Sequence, residues 1–364
     1  MGFYLNMANN NKGNRAKGSS ANENYARELM QLFTLGLVQL NPDGTPVLDA
    51  NKNPVPTYDQ TVVTNTAKVL TGWTYPTAPG ATPKSNNPQY FIGQMFAVES
   101  NHDTSSKTVV GGAVLPAGQS AEQDLDALID TLMAQPTMAP FISQQLIQHL
   151  VTSNPTPAYA ARVANVFRDN GAGVRGDMKA VITAILTDPE ARAGDVDSSE
   201  TSANYGHLRE PVLFMTGVLR GLNATVGASS TIYNYTSQLG QNLFYPASVF
   251  SYFSPQYRTG KGLLGPEFQI YSTQTASTRA NIVNRMLYGT LDAGTTIDLA
   301  PFVSIAGSPT NLLSVINQVF LHGSMSTNLY NEANIAASAQ STAKARAQAA
   351  LYVVLTSGEY QIIH

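Results

Sequence analysis

Cysteine is absent from this 364-residue chain. That excludes disulfides, thiolate nucleophiles and zinc held on cysteine. Charge is also scarce. Only 12% of the residues are Asp, Glu, Lys or Arg, about half the share in an ordinary soluble domain. The net charge of −3 comes from 24 acids and 21 bases mixed along the sequence. No basic stripe therefore marks a nucleic-acid surface, and no acidic run marks a solvating tail. No stretch has the apolar length of a membrane span. The phosphate-cradling P-loop, the His-Glu-x-x-His pair and the Gly-x-Ser-x-Gly elbow are missing. Residues 171–176 match the dinucleotide glycine spacing, but they follow a helical pattern rather than a strand and read as a helix–helix turn. Residues 1–18 lack the basic, apolar, small-residue order of a signal peptide.

What is present is helical periodicity nearly throughout, which gives a mainly α fold class. Ser20-x-x-Glu23, Thr57-x-x-Gln60 and Ser120-x-x-Gln123 read as capping boxes. Each precedes an apolar stripe: Tyr25, Leu29, Leu32 and Phe33; then Val62, Val63, Ala67 and Val69; then Leu125, Leu128, Ile129 and Leu132. Such a cap contributes about 1 kcal/mol to its helix. Four further helices are expected around Phe141–Leu150, Tyr159–Phe167, Met178–Leu186 and Pro211–Leu222. Three late ones are expected over Ser272–Leu287, Asn311–Leu321 and Thr342–Thr356. Residues 41–56 and 76–110 are rich in Pro, Gly and Asn and read as irregular loops able to hold short hairpins. Asn41-Pro42-Asp43-Gly44 is a turn signal within the first. Ala193–Tyr205 and Leu291–Ser308 read as polar loops. No repeat and no composition shift mark a boundary, so the simplest organisation is one multi-helix body over residues 1–364.

Against the sparse background, three clusters of ionic groups stand out. Glu23, Arg27 and Glu28 share the first helix. Glu23 and Arg27 are four apart and can pair, whereas Glu28 lies well round the helix. A second carboxylate for acid–base work would then come from another element. The structural alternative is an ion pair that holds the helix to its neighbours. Asn101-His102-Asp103 with Lys107 sits in a loop. Histidine can act as acid, base or ligand near neutral pH, an adjacent Asp can fix its tautomer, and Lys107 can stabilise negative charge. The alternative is a loop bonded to its own backbone. His207-Leu208-Arg209-Glu210-Pro211 opens a helix, where a carboxylate is electrostatically favoured; Arg209 suits an anion clamp or a structural pair. Trp73, with Tyr75 and Tyr90, could stack on sugar faces, or anchor the loop to the core.

An ordered set of motifs resembles a bacterial family, the domain of unknown function 1800 family, over essentially the whole chain. Its most specific run is similar to Asn22–Gly36. Leu70-Thr71-Gly72-Trp73, His102-Asp103 with Lys107, and Leu208-Arg209-Glu210-Pro211 follow in order. Ser248–Pro255, Pro266-Glu267-Phe268 and Phe320-Leu321-His322-Gly323 come later. The family usually carries a helical portion ahead of the stretch similar to Met1–Leu5, so a missing N-terminal part, export signal included, is expected upstream. The resemblance implies a secreted or envelope protein, often encoded beside sulfatase-like proteins, but it implies no settled activity.

The leading expectation is a hydrolase of an extracellular glycan or related polymer. His102 and Asp103 would be its acid–base pair, with Glu23 or Glu28 as second carboxylate. Lys107 would stabilise charge, and Arg27, Trp73, Tyr75, Tyr90 and Arg209 would bind substrate. A non-catalytic envelope binding or assembly protein is the alternative. So is a metal-dependent enzyme with His102, Asp103 and a Glu as ligands. No motif calls for a cofactor, and a divalent metal stays open.

Overall fold

A computed structural model of the protein describes residues 2–193, 205–227 and 230–363. The expected loop Ala193–Tyr205 falls almost entirely outside them. The fold is mainly α, with strands only as two-residue antiparallel pairs among the described residues. It divides into two compact units, residues 1–146 with 156–184 and residues 147–155 with 185–364.

The first unit opens with α1 (Asn24–Gln31) and α2 (Gln60–Val69), which pack together. Met30, Val63 and Ala67 are buried there. Two cap expectations are corrected. Glu23 itself stands at the start of α1 and makes no side-chain cap bond; its carboxylate is engaged with other side chains, described below. The Asn24 N–H instead finds the Asn22 side chain at 2.9 Å. At α2 the cap is Asp59, which accepts from the Val62 N–H, not Thr57. Gly36 ends the α1 region in a left-handed conformation, φ +76°, against the Phe141 ring. Residues 38–56 form small nested hairpins, with bridges at Leu40–Pro46 and Leu48–Pro54. The Asn41–Gly44 turn is present, and Asp43 caps Thr45.

The longer loop carries β1 (Trp73–Thr74) paired with β2 (Phe96–Ala97), then β3 (Lys107–Thr108) paired with β4 (Val114–Leu115). It leads into α3 (Ala121–Ala134), whose Ser120–Gln123 capping box forms as the spacing requires. Beyond it come α4 (Met138–Leu150), α5 (Pro157–Arg168) and α6 (Met178–Thr187). Within α5, Tyr159, Val163 and Phe167 share the buried face.

The second unit contains α7 (Pro189–Arg192), β5 (His207–Leu208), α8 (Pro211–Gly221) and α9 (Ser230–Gln238). These are followed by α10 (Thr273–Tyr288), α11 (Ala300–Ile305), α12 (Pro309–Ile316), α13 (Thr327–Ser338), α14 (Ala343–Thr356), α15 (Gly358–Gln361) and β6 (Ile362–Ile363). The helix α11 lies inside Leu291–Ser308, which the sequence reads as loop; it is a single apolar turn and a half with Pro301 in its first turn. The expected helix to Leu321 ends as α at Ile316 and continues as a wider π turn to a left-handed His322. Packing centres on α14, which meets α10, α11, α12, α13 and α15. Phe214, Leu313, Ile316, Leu351, Val354 and Tyr360 belong to its core. Pairing of β5 with β6 joins His207 to Ile363 and Leu208 to Ile362.

Candidate functional site

Two ionic networks of the first unit hang on α2, one at each end. At its start, Glu23 accepts from Arg27 at 3.1 Å, from Gln60 at 2.8 Å and from the Thr64 hydroxyl at 2.8 Å. Arg27 also donates to Gln60 at 3.1 Å. Burial works against ionisation of Glu23, but the Thr64, Gln60 and Arg27 contacts outweigh it and hold the carboxyl below its ordinary value. Glu28 behaves oppositely. It is 9% exposed, and its Oε2 has no hydrogen-bond partner. Burial raises its carboxyl above the ordinary value, with Arg27 opposing. Tyr58 is close enough for its phenol to feel both Arg27 and Glu28, and its hydroxyl is likewise buried without a partner. The two carboxyl groups, on different sides of the helix start, thus meet opposed environments.

Beyond the other end of α2 lies the His-Asp-x-x-x-Lys element. His102 and Lys107 are both 0% exposed and converge on one oxygen of Asp124, from α3. Nε2 of His102 is 3.0 Å from Asp124 Oδ2, and Lys107 Nζ is 2.6 Å from the same atom. Nδ1 of His102 lies 3.0 Å from the Thr71 carbonyl. Both ring nitrogens thus face oxygen atoms. The Thr71 hydroxyl donates to the Lys68 carbonyl at 2.6 Å and accepts from the Asp103 N–H at 2.9 Å. Lys107 also donates to the Ser105 carbonyl at 2.9 Å. Asp103 turns back on its own loop, accepting from the N–H and hydroxyl of Ser105. Burial resists its ionisation, but those bonds, with Lys107 and Lys68 nearby, hold it below the usual range.

Gly72 explains how the loop closes so tightly. Its φ is +89°, and a Cβ there would lie 3.0 Å from His102 Cβ and 3.2 Å from His102 N. Only glycine meets both demands.

Within the first unit, the expected site residues are therefore not gathered at one point. From Thr64, which holds Glu23, α2 advances about 8 Å to its end at Val69, and Thr71, which holds His102, lies two residues beyond. Trp73 and Tyr75 are buried, the Trp73 Nε1 without a partner. Buried Asn87 holds this segment, donating to the Tyr75 carbonyl at 2.8 Å. Tyr90 is half-buried. The ring that reaches solvent here is Phe91, 68% exposed and edge-on to Tyr75 and Phe3. Arg209 belongs to the second unit, where Nε donates to the Tyr360 carbonyl and the guanidinium lies 4.5 Å from the Tyr360 ring centre. Among the described residues, no three His, Asp or Glu side chains gather closely enough to hold a metal ion.

Asp124 and Tyr58 escape a reading of the sequence. Asp124 follows a capping box, where an acid is expected for its effect on the helix dipole, so nothing local marks it as the partner of both His102 and Lys107. Tyr58 stands in an ordinary polar loop.

Residues 1–362 match the family model described as protein of unknown function (DUF1800). The chain belongs to that family. The ordered motifs of this DUF1800 chain thus map onto distinct structural tasks: Asn22–Gly36 carries the carboxyl pair, Thr71-Gly72-Trp73 receives His102, and Leu208–Pro211 joins β5 to α8. No curated protein and no solved structure matches the chain. No helix among the described residues is long and apolar enough to cross a membrane.

Proposed function

We propose that the protein is a hydrolase with Glu28, on α1, as proton donor, and with the second carboxylate supplied by another element, because Glu23 lies well round the helix from it. The observation that supports this is the environment of Glu28, which differs from that of Glu23. Burial raises the Glu28 carboxyl above its ordinary value, and one of its oxygens has no partner, whereas three donors outweigh burial and lower Glu23. Tyr58 and Arg27 border Glu28 and would orient a substrate oxygen. His102 and Lys107, enclosed on Asp124, support the scaffold in this scheme rather than touch substrate. An extracellular glycan or related polymer is the proposed substrate. That choice, like an exported location and a sulfatase-like partner, rests on the family resemblance. Exposed Phe91 offers a face on which a sugar could stack.

A second reading is a non-catalytic envelope binding or assembly protein. The observation favouring it is the complete burial of the His102–Asp124–Lys107 cluster, an internal clamp with no face to solvent.

The test is a panel of glycans, esters and phosphoesters with the parent protein and Glu28→Gln. Turnover of a polymer by the parent, reduced about 10²- to 10⁴-fold in a fully folded variant, fits the role of a general acid. Absence of turnover in the parent, or equal turnover in both, rejects the scheme and favours the second reading.

A further inference from the structure

Two arginines of the second unit have no acidic partner among the described residues. Arg279, on α10, is 4% exposed. Its Nη1 donates to the Gln361 side chain at 2.6 Å and its Nη2 to the Arg209 carbonyl at 2.8 Å. Its guanidinium lies 4.9 Å from the Phe214 ring centre and 5.0 Å from that of Tyr271. Its Nε–H is buried with no partner. Arg209 is half-buried and uses only Nε, toward the Tyr360 carbonyl.

Every partner of both side chains among the described residues is neutral: carbonyls, one amide and aromatic faces. Such partners satisfy hydrogens and favour a cation, but they leave two positive charges uncompensated where burial makes that costly. Burial, with Arg209 adding repulsion, lowers Arg279 to about 10. The terminal nitrogens of Arg209 form the forked edge that grips an oxyanion through two parallel bonds. They lie beside Gly217 of α8, where a Cβ would come within 3.5 Å of Nη1.

We propose that Arg209 and Arg279 form a binding site for a tetrahedral oxyanion, a sulfate or phosphate group, gripped by the Arg209 fork with the charge of Arg279 behind it. The buried Nε–H of Arg279 is the donor held in reserve for it.

Calorimetric titration of the purified full chain tests this, using sodium sulfate, inorganic phosphate and acetate with ionic strength matched by chloride. Saturable binding of sulfate or phosphate at one site per chain is expected, together with a raised Tm. Acetate should bind more weakly. Arg209→Gln should weaken sulfate at least tenfold, whereas Arg220→Gln, on the exposed side of α8, should leave it unchanged. Glucose 6-sulfate run beside inorganic sulfate separates a sugar substituent from the free ion as source, and binding of either supports the site. No saturable binding above the chloride control, or equal binding by Arg209→Gln, overturns it. If Arg209→Gln fails to fold, modification of the parent by phenylglyoxal decides. Sulfate should protect Arg209 in the peptide map, and lack of protection overturns the site.

Discussion

Lys107 Nζ lies 2.6 Å from Asp124 Oδ2, and neither side chain has any exposed surface. An ion pair so enclosed costs heavily to form, and more to break. Replacing one partner strands the other charge.

Asp124→Asn should therefore destabilise the protein by about 3–5 kcal/mol, read from urea unfolding. The double replacement Lys107→Met with Asp124→Leu should cost less than the sum of the two single changes, because it leaves neither of these two charges stranded. Additive losses would mean that the two side chains act separately.

Much of this cluster was legible in the sequence, though not its purpose. His102, Asp103 and Lys107 stood out as scarce ionic groups at close spacing, and the structure places all three in one network with Thr71. Burial is what the spacing could not show. It depends on Asp124 arriving from α3, and sequence separation says nothing about that approach. The helices were more legible, since a 3.6-residue stripe is a local property. Starts such as Asp59 were missed where two good capping residues lie close together and tertiary contacts choose between them. The two units share chain segments that interleave, with changes of unit inside α4 and α6, so no composition shift could mark them.

Gly72 supplies the second prediction. Gly72→Ala would force a side chain into a left-handed backbone at φ +89° and against His102. A loss of about 1–2 kcal/mol from the backbone alone is expected, with more from the contact, and is measured as a fall in Tm. An unchanged Tm would show that this loop yields freely.

Glu28 should leave a mark on the pH dependence of stability. Burial raises its carboxyl above 4.5, with Arg27 opposing, so the folded state favours the protonated acid. That contribution is fully present below the unfolded value and is lost as pH rises through the higher folded one. Glu28→Gln stays neutral throughout. Its urea midpoint should therefore hold up better than that of the parent as pH climbs from 4.5. Parallel profiles would place Glu28 in a more solvated setting.

Tyr360 makes an alkaline counterpart. Burial pushes its phenol up to about 12, against the pull of Arg209 and Arg279. The stability it contributes is present below 10 and is lost as pH rises toward 12. Tyr360→Phe removes this term, so the gap between parent and variant should narrow by on the order of 2 kcal/mol across that interval. Difference ultraviolet absorbance of the tyrosinate, compared between the two proteins, checks the assignment.

The ten residues of α2 act as a ruler. Because Glu23 is gripped near the first graduation and His102 just past the last, one extra residue in α2 would swing one attachment about 100° around the axis relative to the other, besides adding about 1.5 Å. Length can drift in the surrounding hairpins at small expense, but α2 has a fixed gauge.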